Sequence, residues 1–297
     1  MSLSSVQSET TVATPTAAVR TRRRAPRVRG TFAANEFAVM FRRVRNLALL
    51  CALAAIPIAL GAAVKLTTRH PNGGGGGFIN QVSNNGLFLV FSSLTVTLPI
   101  FLPLAVGVVS GDAISGEAGQ GTLRYLLVAP VGRNRLLAVK GGAIAAFCLV
   151  ASFVVAVSAF VVGLILFPVG PVTLLSGESI SFGAALVKAV LITLLVAASL
   201  LGLAAIGLFV STLTDTAIAA MAVTVGVTVL SGILQSIPQL SSIQPWLFTD
   251  QWTSFADVLR DPVYTPNIVH NLLIQGLYVA VFGSAAWARL STRDVLA

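Results

Sequence analysis

Six apolar stretches constrain this chain more than any other feature. They run roughly over 47–65, 87–110, 137–167, 184–210, 216–237 and 268–288. Each is longer than the about 18 residues that mark a membrane-crossing helix. No Asp, Glu, Lys or Arg lies in the inner part of any of them. In hydrocarbon every backbone N–H and C=O must be satisfied within the protein, so runs of this kind read as helices. The expected fold is an all-α membrane protein with six transmembrane helices. Composition agrees: 56% of residues are hydrophobic and only 10% charged, where a soluble domain carries about 25% charged residues. Pro57, Pro99 and Pro103 fall within the first two stretches and are expected to kink them.

The basic residues set the orientation. With the N-terminus in the cytosol, the chain's 19 Lys and Arg lie on that side except Lys65, Arg69, Lys188 and Arg260. The opposite orientation would invert this bias. An even number of spans returns the C-terminus to the cytosol, so the expectation is a multi-pass protein of the inner (cytoplasmic) membrane with both termini inside. A net charge of +9 could also suit nucleic acid. The basic residues, however, sit at the ends of apolar runs and are not interleaved with aromatics on one face. Cys51 and Cys148 lie inside apolar runs, read as packed free thiols, and are too few for a metal site.

Residues 1–29 form a basic tail, rich in Ser, Thr, Ala and Arg and without apolar periodicity, that is expected to be disordered. Its paired arginines are not read as an export signal, because the apolar run begins only at Leu47. Residues 30–297 read as one six-span domain. Over 32–46, Phe37, Met40, Phe41 and Val44 recur at helical spacing, with Arg42, Arg43 and Arg45 largely opposite. That pattern predicts an amphipathic helix lying in the membrane interface, anchored by Phe37, Phe41, Arg42 and Arg43 near lipid headgroups.

Five consecutive glycines, Gly73 to Gly77, make the first outer loop flexible and lack the Gly-Lys-Ser/Thr ending of a phosphate loop. The last outer loop, about 238–267, carries Trp246, Phe248, Trp252 and Phe255, aromatics of the kind that anchor at an interface. It is expected to hold short helices dipping toward the membrane edge, capped at Thr249 and Asp250. Asp215, in a short cytosolic turn, is expected to cap the fifth span. Ala198 with Gly202, and Ala222 with Gly226, could allow close helix approach. His270 reads as an interfacial residue at the start of the sixth span.

The cytosolic segment 111–140 differs from a plain turn. Asp112, Glu117 and the glycines at 116, 119 and 121 are expected to end the second span at the membrane surface. Thr122 can cap a short helix with Leu123, Leu126 and Leu127 along one edge, and Pro130 ends it. Arg133, Arg135 and Lys140 would hold the third span at the headgroups. Spacing alone leaves two readings open: a helix laid in a partner's groove, or a connector dipping its leucines into lipid.

The run Asp112, Ile114, Ser115, Glu117, Gly121, Thr122, Leu123, Leu126, Leu127, Pro130, Val131, Arg133, Leu136, Leu137 and Lys140 resembles the cytosolic signature of type-2 permeases of ATP-binding-cassette (ABC) transporters. The tail residues Arg289, Arg293 and Asp294, and the interfacial segment with Glu36, Arg42 and Arg43, are similar to that family as well. Gly119 departs from it, because the family often has a second carboxylate there. The resemblance implies a coupling helix near 122–128 seated in a separate ATPase subunit. The docking residues it implies are Asp112, Glu117, Gly121, Thr122, Leu123, Arg124, Leu126, Leu127, Pro130 and Arg133. It further implies two ATPase copies that bind ATP and Mg²⁺, a permease homodimer or heterodimer, and export of an amphipathic or hydrophobic small molecule or lipid. This chain carries no P-loop motif and is expected to have no catalytic site. Two alternatives stand beside this reading. An ion- or proton-driven transporter would need charged residues inside its spans; a non-transporting scaffold or sensor subunit would not.

Overall fold

The computed structural model describes residues 31–68, 85–119, 133–168, 170, 172–173 and 179–292. Nine α-helices occupy most of them: α1 Thr31–Arg42, α2 Val44–Thr68, α3 Phe88–Thr97, α4 Phe101–Gly119, α5 Arg133–Leu166, α6 Phe182–Ser199, α7 Leu201–Leu213, α8 Ala217–Gln235 and α9 Thr265–Thr292. A two-residue ladder pairs β1 (Val172–Thr173) antiparallel with β2 (Ser179–Ile180). Three 3-10 turns, Pro238–Leu240, Gln244–Trp246 and Trp252–Leu259, fill the segment before α9.

Five of these units are long and apolar enough to cross a membrane: α2, α5, α6 continuing into α7, α8 and α9. The pair α3 and α4 makes a sixth if counted as one span bent by 55°. The bend follows from proline chemistry. Pro99 sits in the break and Pro103 in the first turn of α4, and neither can donate to the ladder. Pro57 does not have this effect, since α2 runs through it uninterrupted. A milder discontinuity at Leu200 separates α6 from α7.

The helices pack in two groups. In one, α5 is flanked by α2, α3 and α6; in the other, α7 is flanked by α4, α8 and α9. Phe147, Leu89, Leu94, Leu102, Ile192 and Leu203 are fully buried between elements. Large apolar side chains such as Ile58, Val187, Ile218 and Leu273 point outward, as a lipid-facing surface requires.

The second group is held at very short range. A Cβ on Gly111 of α4 would lie 2.8 Å from the Met221 nitrogen of α8. One on Gly207 of α7 would lie 2.0 Å from Ser110 Oγ of α4. Backbones approach this closely only where side chains are absent. Ser211 Oγ of α7 then accepts the N–H groups of Ile114 and Ser115, each at 2.9 Å. Gly111 and Gly116 therefore do not end the second span. The helix continues through Asp112 and Glu117 to Gly119, and resumes at Arg133. The connection expected over 111–140 narrows to 120–132.

The segment before α9 also differs from its sequence reading. Phe248, Trp252 and Phe255 are buried against the helices, whereas Trp246 is exposed. These three aromatics thus fill a protein core instead of a lipid interface. Thr249 and Asp250 cap no helix. Thr249 Oγ1 pairs with Ser231 Oγ at 2.7 Å, and the Trp252–Leu259 turn starts at Gln251 without a side-chain cap. Asp215 is not the cap of α8 either; that position is Thr216, whose side chain makes no capping bond to the helix. Gly202 does meet another helix closely, while Gly226 has open space around it.

Candidate functional site

The charged residues near the loop between α4 and α5 converge from four elements. α1 brings Glu36, the joint between α1 and α2 brings Arg43, α2 brings Arg45 and Asn46, α4 brings Asp112 and Glu117, and α5 brings Lys140. The joint at Arg43 is what makes this possible. There the chain leaves one helix and enters the next, and Asn46, 2% exposed, donates its Nδ2–H to the Met40 carbonyl at 2.8 Å. The side chain thereby serves a carbonyl that the turn deprives of a helical donor.

Asp112 is the centre of one cluster. Its Oδ2 accepts from Arg43 Nη1 and from Arg45 Nη2, both at 2.6 Å. Gly116, one turn on, leaves room for the carboxylate, since a Cβ there would lie 2.4 Å from Asp112 Oδ1. Lys140 is the centre of the other. Its Nζ lies 3.0 Å from Glu36 Oε2 and donates to Glu117 Oε1 as well. Lys140 itself is only 7% exposed. Arg43, Arg45 and Lys140 thus face Asp112, Glu36 and Glu117, three cations against three carboxylates. Charges removed from water are tolerated only when matched in this way. A shallow crevice between Glu36, Met40, Arg45, Asp112 and Lys140 opens at this point.

The arrangement contains charge pairs and backbone contacts but no paired nucleophile and base, and among the described residues no group of three or more His, Cys, Asp and Glu could hold a metal ion. What it does is tie α1 and α2 to the two helices that flank residues 120–132. The end of α4 also touches the next turn, because a Cβ on Gly119 would lie 3.1 Å from the Asp215 carbonyl.

Of the residues singled out in the sequence, the structure brings Asp112, Glu117 and Arg43 into this arrangement. Phe41 stacks on Phe147 of α5, centroids 6.2 Å apart. Phe37 is half-buried and Arg42 exposed. Arg43 and Arg45 give their guanidinium groups to Asp112, and Lys140 is enclosed between carboxylates. Gly121, Thr122, Leu123, Arg124, Leu126, Leu127 and Pro130 lie outside the described residues, as does the side chain of Arg133.

Sequence reading missed a second polar centre, inside the last span. Asn271 and Gln275, one turn apart on α9, are 2% exposed each. Asn271 donates to Ser199 Oγ at 2.6 Å. Gln275 accepts the Gly202 N–H at 3.1 Å and donates to the Phe248 carbonyl at 2.7 Å. One amide therefore joins the α6–α7 discontinuity to the buried loop. The available signal was two amides at i, i+4 within an otherwise apolar run. His270, nearby, lies 3.0 Å from the Pro245 carbonyl.

None of the curated proteins compared matches the chain. A family model described as ABC-2 family transporter protein matches residues 41–233, a stretch from the end of α1 to the last turn of α8 that includes the second span, the loop between α4 and α5 and every member of the charged clusters except Glu36. With its bundle of apolar membrane-crossing helices, this chain belongs to the ABC-2 transporter family and is an ABC type-2 permease.

Proposed function

We propose that this permease is the membrane subunit of an ATP-driven exporter, with its ATPase docked on residues 120–132. The observation that supports this most is the position of the charged clusters. They lie at both roots of that segment, on α4 and α5, and connect it to α1 and α2. An ATPase pressing on a leucine-edged helix near 122–128 would move α4 and α5 at Gly119 and Arg133. The pairs Glu36–Lys140–Glu117 and Arg43–Asp112–Arg45 would then pass that movement to the first span. In this reading the clustered end faces the cytosol of the inner membrane.

Each of two ATPase copies would bind ATP and Mg²⁺, and two permeases, identical or paralogous, would complete the pathway. Closure of the ATPases supplies the work; this chain's residues supply docking, transmission and the route. The cargo is an amphipathic or hydrophobic small molecule or lipid moving outward, and Gly121, Thr122, Leu123, Arg124, Leu126, Leu127, Pro130 and Arg133 form the docking surface. Phe37, Phe41 and Arg42 anchor α1 along the headgroups.

The test is reconstitution of the chain with its ATPase in liposomes. Hydrolysis is expected to depend on the chain, and Leu126→Asp with Leu127→Asp is expected to abolish transport while insertion is retained. Transport driven by a pH gradient with no ATPase present would overturn the reading.

A further inference from the structure

The bundle holds a polar recess that coupling does not use. It lies where the second span breaks, at the end of α4 remote from the charged clusters. Leu98 and Pro99 form one wall, Thr228 and Gly232 of α8 a second, and Asp250 and Trp252 of the buried loop the third. Its volume is about 150 Å³, the size of an engineered cavity that accepts a benzene ring.

Three properties define what would fit. Asp250 is half-buried, and its carboxylate receives only neutral donors: Gln251 Nε2 at 2.8 Å and Gln235 Nε2 at 3.4 Å. Among the described residues no Lys or Arg pairs with it. Every other buried carboxylate discussed above has its cation, so this one stands apart. Next, the Trp252 ring, 5% exposed, supplies an aromatic wall. Last, Leu98 and Pro99 make the facing wall apolar. The recess therefore presents a carboxylate that lacks a cation. A bare metal ion does not suit it, since hard cations take six or more oxygens and much of this lining is apolar.

We propose that the recess binds a compact organic ammonium ion with an aromatic group, such as an aryl amino alcohol. The ammonium pairs with Asp250, and the aromatic part lies against Leu98 and the Trp252 ring. The inference rests on the exporter reading and names its substrate class: the recess is the last binding step before release, at the end away from the ATPase.

The experiment is calorimetric titration of the purified full-length chain in nanodiscs, without nucleotide. The probes are 2-amino-1-phenylethanol and its uncharged counterpart 1-phenyl-1,2-ethanediol. The amine is expected to bind and the diol to bind at least about tenfold more weakly, the loss of one charge-assisted contact. Asp250→Asn is expected to bring the amine down to the diol. Gly232→Leu is expected to abolish both; nothing lies within 4 Å of a Cβ at Gly232, so the larger side chain is accommodated and the melting temperature does not fall. Equal binding of the two probes, no binding of either, or an amine affinity indifferent to both substitutions would overturn the proposal. Amine binding without ATPase coupling in the reconstituted complex would keep the site and remove the exporter. Coupled transport without amine binding would do the reverse.

Discussion

The two ends of the bundle hold themselves together by different chemistry. Near residues 120–132, charge meets charge: Lys140 between Glu36 and Glu117, and Asp112 between Arg43 and Arg45. At the other end the ties are neutral amides and hydroxyls, Gln275 to Gly202 and Phe248, and Thr249 to Ser231. A charged tie is weak evidence for net stability, yet breaking one member of it is costly. A neutral tie costs less to break and holds a fixed geometry. The comparison teaches that the end proposed to move is built from parts whose loss is felt at once, while the end with the recess is built from parts that position without strong fields.

This contrast can be broken experimentally. The largest effect is expected from Lys140→Ala, which removes the ammonium between two carboxylates whose side chains are 16% and 12% exposed. The loss should be about 3–5 kcal/mol, seen as the steepest drop in thermal unfolding in nanodiscs. Adding Glu36→Gln and Glu117→Gln to that variant should recover most of it; failure to recover would show that packing, not charge, dominates there. Gln275→Ala should cost about 1–3 kcal/mol, the range for a buried partner left unsatisfied. A loss as large as that of Lys140→Ala would erase the distinction between the ends.

Smaller effects sharpen the picture. Asp112→Asn should cost about 1 kcal/mol or less, because Arg43 and Arg45 are 37% and 42% exposed and can turn to solvent or headgroups. Its unfolding midpoint should also become less sensitive to salt than that of the unchanged chain. Trp246→Ala should be nearly silent, within about 0.5 kcal/mol, since that ring is exposed and the bonds of this residue are made by its backbone, the N–H to the Ile243 carbonyl and the carbonyl from Tyr278, each at 3.0 Å.

The spans were legible because hydropathy is a local property summed over twenty residues, and no tertiary contact can mask it. The bend at Pro99 was legible for the same reason: a missing N–H is written in one residue. Partnerships were not. Arg43 reads as a headgroup anchor until α4 is placed beside α2, and its partner Asp112 lies 69 positions away. Lys140 read as a headgroup contact, whereas Glu36, 104 positions upstream, encloses it. Gly116 looked like a helix breaker, because a sequence does not say whether a missing side chain serves a turn or a tight contact. The loop aromatics looked like interface anchors on composition; burying Trp252 and Phe255 takes a cavity among α6, α8 and α9 that only the assembled bundle provides. The Asn271 and Gln275 pair was visible as a pattern but not as a clamp, because its partners lie on other helices.

The seam of α4 against α7 and α8 has one more consequence. With Gly111 laid on the Met221 backbone and two amides of α4 held by the Ser211 hydroxyl, this helix can neither spin nor slip against its neighbours without a steric collision or a lost bond. Any change in the direction of the second span is therefore left to the joint at Pro99, beside the recess.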